Sequence, residues 1–126
     1  MTLKSSLDIQ IRYSDVDLLG HVNNATFLTY YELGRIDFFR KFMNDLADAR
    51  FVIAHIEVDF FSEVRLGDIP VCTTTVEKLG NTSVTFRSDI SVRGEIASVC
   101  KAVLVYVDKE NKPCSIPENL RKHLAD

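Results

Sequence analysis

Five side chains suited to acid–base chemistry or to binding a polar group lie close together near the start of the chain. They are Asp15, Asp17, His21, Asn23 and Asn24. A long apolar stretch of helical character follows directly, so these residues should stand beside a helix N-terminus. The first N–H groups of a helix have no partner inside the helix, and this end carries partial positive charge. A carboxylate beside such free donors is suited to chemistry on a carbonyl group.

The same segment does not complete a metal site. Asp15, Asp17 and Gly20 match the start of a calcium loop, but Leu19 and Thr26 stand where further oxygen ligands are needed. The histidines are scattered and no cysteine pair has the spacing of zinc ligands. A nucleophile elbow of the Gly-x-Ser-x-Gly type is also missing. The residues therefore predict neither a metal site nor a serine nucleophile of this type.

One carboxylate acting alone is the remaining catalytic interpretation. Asp17 would attack a carbonyl carbon or deprotonate a water molecule, while amides at the helix start stabilise the developing oxyanion. The alternative is purely structural: Asp15, Asp17 and Asn23 would only cap turns, as such residues often do. The spacing of the residues leaves both interpretations open.

Composition excludes several other classes of protein. The chain has 126 residues and a formal net charge of -3, which fits a single domain over residues 1–126. Its basic residues are scattered, so no nucleic-acid partner is expected. The N-terminus lacks the apolar core of a signal peptide, and charged residues interrupt the most apolar helix, so no membrane span is expected. Three cysteines are too few for a disulfide framework and indicate a cytoplasmic protein.

The pattern of apolar residues predicts one long helix. An alternating strand covers residues 8–13, a polar loop covers 14–23, and the helix begins at Asn23 or Asn24 and ends near Met43. Apolar residues cover more than one face of this helix, which predicts burial nearly all round. Gly34 in its middle predicts close approach of another backbone, since glycine otherwise costs helix stability.

Strands dominate the rest of the chain. Alternation predicts strands over 51–61, 70–78, 83–92 and 96–107, followed by a short helix with Ser115 as cap and Pro117 in its first turn. In the strand 51–61, the even-numbered residues 52–60 should share one face. In the last strand, Ala97 and the valines at 99, 103, 105 and 107 should share one face, with a second apolar face opposite. Successive strands pair most easily as antiparallel neighbours, so we expect an α+β fold in which a curved antiparallel sheet wraps a central helix.

The motif itself resembles a known family. The run from Tyr13 to Phe27, Tyr-Ser-Asp-Val-Asp-Leu-Leu-Gly-His-Val-Asn-Asn-Ala-Thr-Phe, continued by Tyr31-Glu32-x-x-Arg35, is similar to the hotdog-fold acyl-CoA thioesterases of the 4-hydroxybenzoyl-CoA thioesterase type. Segments 56–68 and 79–83 extend the resemblance along most of the chain. The resemblance implies a hotdog fold and hydrolysis of a coenzyme A thioester without a cofactor.

The resemblance also implies roles for individual residues. Asp17 corresponds to the catalytic carboxylate, and a backbone N–H at or around Asn24 corresponds to the group that polarises the carbonyl. The supporting or substrate-binding positions are Gly20, His21, Asn23, Asn24 and Ala25, with a loop-ordering hydrogen bond as the alternative role of His21. If coenzyme A is the substrate, our own candidates for contacts with its phosphates are Lys78, Ser83 and Arg87 around the third hairpin, and the alternative for each is a solvated strand edge. Glu32 and Arg35 are spaced for an ion pair on the helix.

Family members join two sheets into a homodimer with active sites at the interface, and often pair dimers into tetramers. The same fold leaves alternative functions open: an acyl-carrier-protein thioesterase, a hydroxyacyl-thioester dehydratase, or a non-catalytic module that binds acyl-CoA.

Overall fold

A computed structural model describes residues 3–43 and 49–125 of the chain. A long helix lies against one face of a five-stranded sheet in which all neighbouring strands are antiparallel, in the order β1-β3-β4-β5-β2. The elements are β1 (Lys4–Asp8), α1 (Asn24–Phe42), β2 (Phe51–Phe60), β3 (Val71–Leu79), β4 (Ser83–Val92), β5 (Glu95–Tyr106) and α2 (Glu118–Leu124). The predicted α+β architecture is confirmed. Neither of the helices in the described ranges is long and apolar enough to cross a membrane.

Helix α1 is buried on one face in the single chain. Its buried residues are Phe27, Tyr30, Tyr31, Gly34, Arg35, Phe38 and Phe39. Leu28 and Leu33 on the opposite side are each 41% exposed. The prediction of burial nearly all round is therefore wrong for one chain, because the sheet covers only the side of the helix that faces it.

Gly34 marks the closest approach of α1 to the sheet. A Cβ atom on Gly34 would lie 2.5 Å from Sγ of Cys72 and 3.0 Å from Oγ1 of Thr74, both on β3. The predicted close contact is real, but side chains of the sheet make it rather than another backbone. Glycine is the residue that lets the helix pack at this distance.

The first strand lies earlier than its alternating pattern indicates. β1 ends at Asp8, and residues 13–15 form a single turn of 3-10 helix instead of extended chain. The reason is local: the carboxylate of Asp15 accepts the backbone N–H of Arg12 at 3.0 Å, which curls the chain.

At the other end of the protein, Pro117 rather than Ser115 occupies the N-cap of α2. The carbonyl of Pro117 accepts the N–H groups of Leu120 and Arg121, which sets the helix start.

The structure shows which face of β5 is turned to the core, and it breaks the alternation predicted for β2. On β5 the residues turned into the core are Ser98, Cys100, Ala102 and Leu104, whereas the valines at 99, 103 and 105 are only partly buried. On β2 the pairing with β5 shifts between Ile53 and His55, so the strict alternation expected over 52–60 breaks there. Phe51, Ile56 and Val58 are the β2 residues that pack against the core.

Arg35 points into the core and does not pair with Glu32 as predicted. Its side chain is 5% exposed and lies beside Cys100, while Glu32 is exposed to solvent. Burial lowers the pKa of the Arg35 guanidinium, because a charged group loses hydration there. The i,i+3 spacing was compatible with a pair, but Arg35 lies on the buried face of the helix and Glu32 does not.

The Gly34 contact predicts an unusual response to mutation. Gly34→Ala should stabilise an isolated helix by about 1 kcal/mol, yet we expect it to destabilise the protein by about 1–3 kcal/mol, because the new methyl group collides with Cys72. Urea unfolding of Gly34→Ala, Cys72→Ala and the double variant measures the coupling between the two positions. The double variant should recover part of the loss. An increase in stability for Gly34→Ala alone would contradict the packing described.

Candidate active site

The polar loop before α1 is clamped to the segment that follows β2. The N–H of Val22 donates to the carbonyl of Val64 at 2.8 Å, and the N–H of Leu66 donates to the carbonyl of Gly20 at 3.0 Å. Between these bonds, His21 and Arg65 form an antiparallel bridge. Gly20 adopts a φ of 80°, which favours glycine. The loop is thus an ordered turn with a defined orientation relative to α1.

Asp15 anchors this loop to the helix. Its side chain is 2% exposed and accepts the hydroxyl of Tyr30 at 2.7 Å. The guanidinium of Arg12 donates to its other oxygen at 2.9 and 3.1 Å. Burial would raise the pKa of Asp15, but the hydrogen bonds from Arg12 and Tyr30 outweigh it and hold that pKa below the usual range. Asp15 is therefore a buried, ionised structural residue.

Asp17 projects from the same loop and is exposed. One of its carboxylate oxygens, Oδ1, accepts the backbone N–H groups of Leu19 at 2.9 Å and His21 at 3.0 Å. The N–H of His21, and to a lesser degree that of Leu19, keep the pKa of Asp17 below its usual range. Within the described residues the second oxygen, Oδ2, accepts no hydrogen bond from the protein. The carboxylate is fixed through one oxygen and available through the other.

A second aspartate forms nearly the same turn elsewhere. Oδ1 of Asp108 accepts the N–H groups of Glu110 and Lys112 at 2.8 and 3.0 Å, again two and four residues ahead. The backbone bonds match as well, and Asn111 takes the positive φ that Gly20 takes in the first loop. Turn capping alone therefore does not distinguish Asp17 from Asp108. What distinguishes Asp17 is the helix start and the cleft beside it.

Helix α1 begins beside this carboxylate. Asn23 is the N-cap residue, and its backbone carbonyl accepts the N–H groups of Thr26 and Phe27. In the described part of the chain, the N–H groups of Asn24 and Ala25 meet no backbone acceptor. They are the free donors that the sequence predicted at this helix end, and no side-chain cap occupies them.

A cleft of about 400 Å³ opens between Asp17 and the helix start. It is lined by Asp17, His21, Val22, Asn23, Asn24, Phe27, Phe60, Phe61, Ser62, Glu63 and Val64. Asp17 and Gly20 also border a second, more apolar cleft with Tyr13, Val16, Leu18 and Leu66. Of the residues predicted for this site, Asp17, His21, Asn23 and Asn24 meet in the first cleft. Gly20 shapes the loop, and Ala25 contributes to the helix start.

His21 has a partner that the sequence did not reveal. Its Nε2 lies 3.2 Å from a carboxylate oxygen of Glu63, which also contacts Arg65 at 3.2 Å. The predicted loop-ordering role of His21 fits this contact. Phe60 ends β2, and Phe61 and Glu63 follow it directly. None of the three was predicted as a site residue, because they are far from the motif in sequence and only the fold brings them to the cleft.

The predicted phosphate contacts lie away from this cleft in the single chain. Phe60, at the cleft, pairs with Ser98 and through it with Ile90, whereas Ser83 begins β4 at the other end of the sheet. Seven residues of extended strand span about 23 Å. Lys78 is exposed beside the same hairpin as Ser83, and Arg87 contacts Asp89 at 2.9 Å. These three residues do not join the Asp17 cleft within one protomer.

Two of the cysteines are buried in the core, away from this cleft. Cys72 and Cys100 are buried free thiols whose pKa values burial raises to about 12 and about 11. Neither thiol lines the cleft. Among residues 3–43 and 49–125, no three His, Cys, Asp or Glu side chains are grouped to hold a metal ion.

A long helix against a five-stranded antiparallel sheet, with a carboxylate beside the helix N-terminus, defines a hotdog-type protein. Residues 19–97 match the model of the thioesterase superfamily. The chain belongs to that superfamily.

Individual relatives agree with this placement. The chain is 24% identical over 119 residues to the acyl-CoA thioester hydrolase YbgC of Escherichia coli, covering 89% of each chain. A thioesterase from Thermus thermophilus solved with coenzyme A and Zn is 35% identical, with a TM-score of 0.88 over 94% of this chain and 90% of that one. A protein from Bacillus stearothermophilus described as a predicted thioesterase is 31% identical, with a TM-score of 0.90 over 98% and 95%.

Because Tyr30 donates to the buried carboxylate of Asp15, we expect the effect of Tyr30→Phe on stability to depend on pH. Tyr30→Phe removes a hydrogen bond to a buried carboxylate and should destabilise the protein by about 1–3 kcal/mol at neutral pH. Because these bonds lower the folded pKa of Asp15, their contribution is present above the unfolded pKa of about 3.9 and is lost as the pH falls through the folded pKa. The penalty of Tyr30→Phe should therefore shrink towards about pH 3.

Tyr31→Phe is the matched control for that measurement. The Tyr31 hydroxyl donates to Ser98 at 2.7 Å, and serine does not titrate in this range. Its penalty should stay constant across the same urea-unfolding series. Parallel pH dependence in both variants would contradict the role assigned to Asp15.

Proposed function

We propose that this protein hydrolyses acyl-CoA thioesters, with Asp17 as the catalytic carboxylate. The observation that carries the proposal is the position of Asp17: an exposed carboxylate in the cleft that also contains the start of α1, with one oxygen held by backbone amides and the other available. The name of the E. coli relative and the coenzyme A in the Thermus structure support the choice of substrate.

The N-terminus of α1 supplies the carbonyl-polarising group. A thioester carbonyl oxygen near the N–H groups of Asn24 and Ala25 would gain negative charge as the carbonyl carbon is attacked, and free helix amides stabilise that charge. These donors are fixed by the helix before substrate arrives. Their orientation therefore costs no rearrangement at the moment of reaction.

Asp17 then acts in one of two ways. As a nucleophile, its Oδ2 attacks the carbonyl carbon, the C–S bond breaks, coenzyme A leaves as the thiolate, and water hydrolyses the resulting anhydride. As a general base, it takes a proton from a water molecule that attacks the carbonyl and expels the same thiolate. Both routes yield a carboxylic acid and coenzyme A. Both need an ionised carboxylate, and the lowered pKa of Asp17 favours that form.

The amide substitution at Asp17 tests this proposal. Asp17→Asn keeps the size of the side chain and its capping oxygen but removes the negative charge, so we expect thiol release from acyl-CoA to fall by about 10²–10⁴-fold. Asp108→Asn is the matched control, since it alters the same type of turn away from the cleft and should leave turnover unchanged. Undiminished turnover in Asp17→Asn would contradict the assignment. Hydration of crotonyl-CoA without thiol release would favour a dehydratase instead.

We further propose a homodimer joined through β2. This strand is ten residues long and forms one edge of the sheet. Val52 and Ile53 on it are 48% and 46% exposed, and an open apolar edge invites pairing with another strand. A second copy would bring its own strands to the Phe60 end of β2 and hence to the cleft.

One substitution on this edge tests the dimer. Ile53→Lys places a charge on the exposed edge and should convert the protein to a monomer in size-exclusion chromatography with light scattering. Ile96→Lys is the control, because Ile96 is also 46% exposed but lies outside the pairing of β5 with β2. A wild-type monomer, or a dimer that survives Ile53→Lys, would contradict an interface at β2.

A further inference from the structure

The cleft beside Asp17 ends on an aromatic pair. Phe27 of α1 and Phe60 at the end of β2 meet edge to face, with ring centroids 5.1 Å apart. Phe27 is 2% exposed, whereas Phe60 is 45% exposed at the cleft wall. The buried side chains of Val22 and Val64 line the same cleft and add to its apolar wall. An apolar group that enters past the helix start therefore meets Phe27 and Phe60.

Hydrogen-bonded groups lie behind this pair. The ring of Tyr30 lies 6.2 Å from that of Phe27, and its hydroxyl is bound to the buried Asp15. The hydroxyl of Tyr31 donates to Ser98, which donates at 2.8 Å to the carbonyl of Asp59, the residue before Phe60.

A chain that passed between the helix and the sheet would have to separate these buried partners. Leaving buried polar groups without partners is unfavourable. The core behind the aromatic pair is thus closed to a long acyl chain.

We propose that Phe60, held against Phe27, is the specificity-determining residue that limits how deep the acyl group can reach, so that the protein favours compact acyl groups over long straight chains. This inference rests on the proposed thioesterase function. Compact here means a short aliphatic or single-ring aromatic acyl group, which can lie against the Phe60 ring without entering the core.

Phe61 offers a comparison within the same cleft. It follows Phe60 directly, lines the same cleft and is 63% exposed. In the described part of the chain it stacks on no other aromatic ring, whereas Phe60 is fixed by Phe27. Removing Phe61 reduces the apolar wall but leaves the aromatic pair in place. A comparison of variants at the two positions therefore distinguishes a loss of apolar surface from a loss of the depth limit.

The test compares thiol release from butanoyl-, benzoyl- and dodecanoyl-CoA, all below their micelle concentrations, by wild type, Phe60→Ala and Phe61→Ala. The measured quantity is the ratio of kcat/KM for dodecanoyl-CoA to kcat/KM for butanoyl-CoA. We expect this ratio to be below one in wild type, with benzoyl-CoA accepted as well. Phe60→Ala should raise the ratio about tenfold or more, because methylene groups of the longer chain can then occupy the space that the ring filled and lie against Phe27. Phe61→Ala should change it less than about threefold.

The outcomes separate the two proposals. An unchanged ratio in Phe60→Ala, an equal shift in Phe61→Ala, or a wild-type preference for dodecanoyl-CoA would overturn the depth limit alone. Absence of thiol release from every thioester would overturn the proposed function and this inference with it. Phe60→Leu provides a second variant if circular dichroism shows that Phe60→Ala does not fold, and it should shift the ratio in the same direction by a smaller factor.

Discussion

The site depends on one buried carboxylate. Asp15 is held by Arg12 and Tyr30, and through Tyr30 it ties the loop to the first turns of α1. The N–H of Asn23 also donates to the backbone carbonyl of Asp15, so the residue before the helix is fixed by the same anchor. An ion buried in this way stays ionised only because its hydrogen bonds are complete. The position of Asp17 relative to the helix amides follows from that anchor.

The packing of α1 sets the second constraint. Gly34 allows the helix to approach β3 closely, and Phe38 and Phe39, which follow it on the helix, pack against Phe86 of β4. The same packing presses Phe27 against Phe60 at the end of β2. The packing of the core therefore also sets the shape of the cleft, because a shift of the helix would move the amides, the aromatic pair and the loop together.

The sequence predicted the elements that local patterns define. The limits of α1, β3 and β4 follow from apolar periodicity and cap residues, and the structure places them within a residue or two of the prediction. The motif around Asp17 indicated both the carboxylate and the free helix amides. Faces and partners were harder to predict. The valines at 99, 103 and 105 of β5 lie on its less buried face, because Tyr31 and Arg35 of α1 meet Ser98 and Cys100 on the other face.

Contacts between distant segments could not be predicted from spacing. The contact of Glu63 with His21 and the place of Phe60 in the cleft wall depend on how the end of β2 meets the loop. The bond from Tyr30 to Asp15 depends on how the loop meets α1. Arg35 illustrates the same point, since its spacing from Glu32 suited an ion pair while the packing of the helix turned it towards Cys100. Local spacing shows which residues can meet on one element. Burial decides which of them do.

The most direct test of the central claim is a crystal structure of Asp17→Asn with an intact acyl-CoA. We predict that the thioester carbonyl oxygen accepts hydrogen bonds from the N–H groups of Asn24 or Ala25, with the carbonyl carbon facing the side chain at position 17. A thioester bound away from the start of α1, or with its carbonyl turned from position 17, would contradict the assignment of this loop and helix end as the catalytic site.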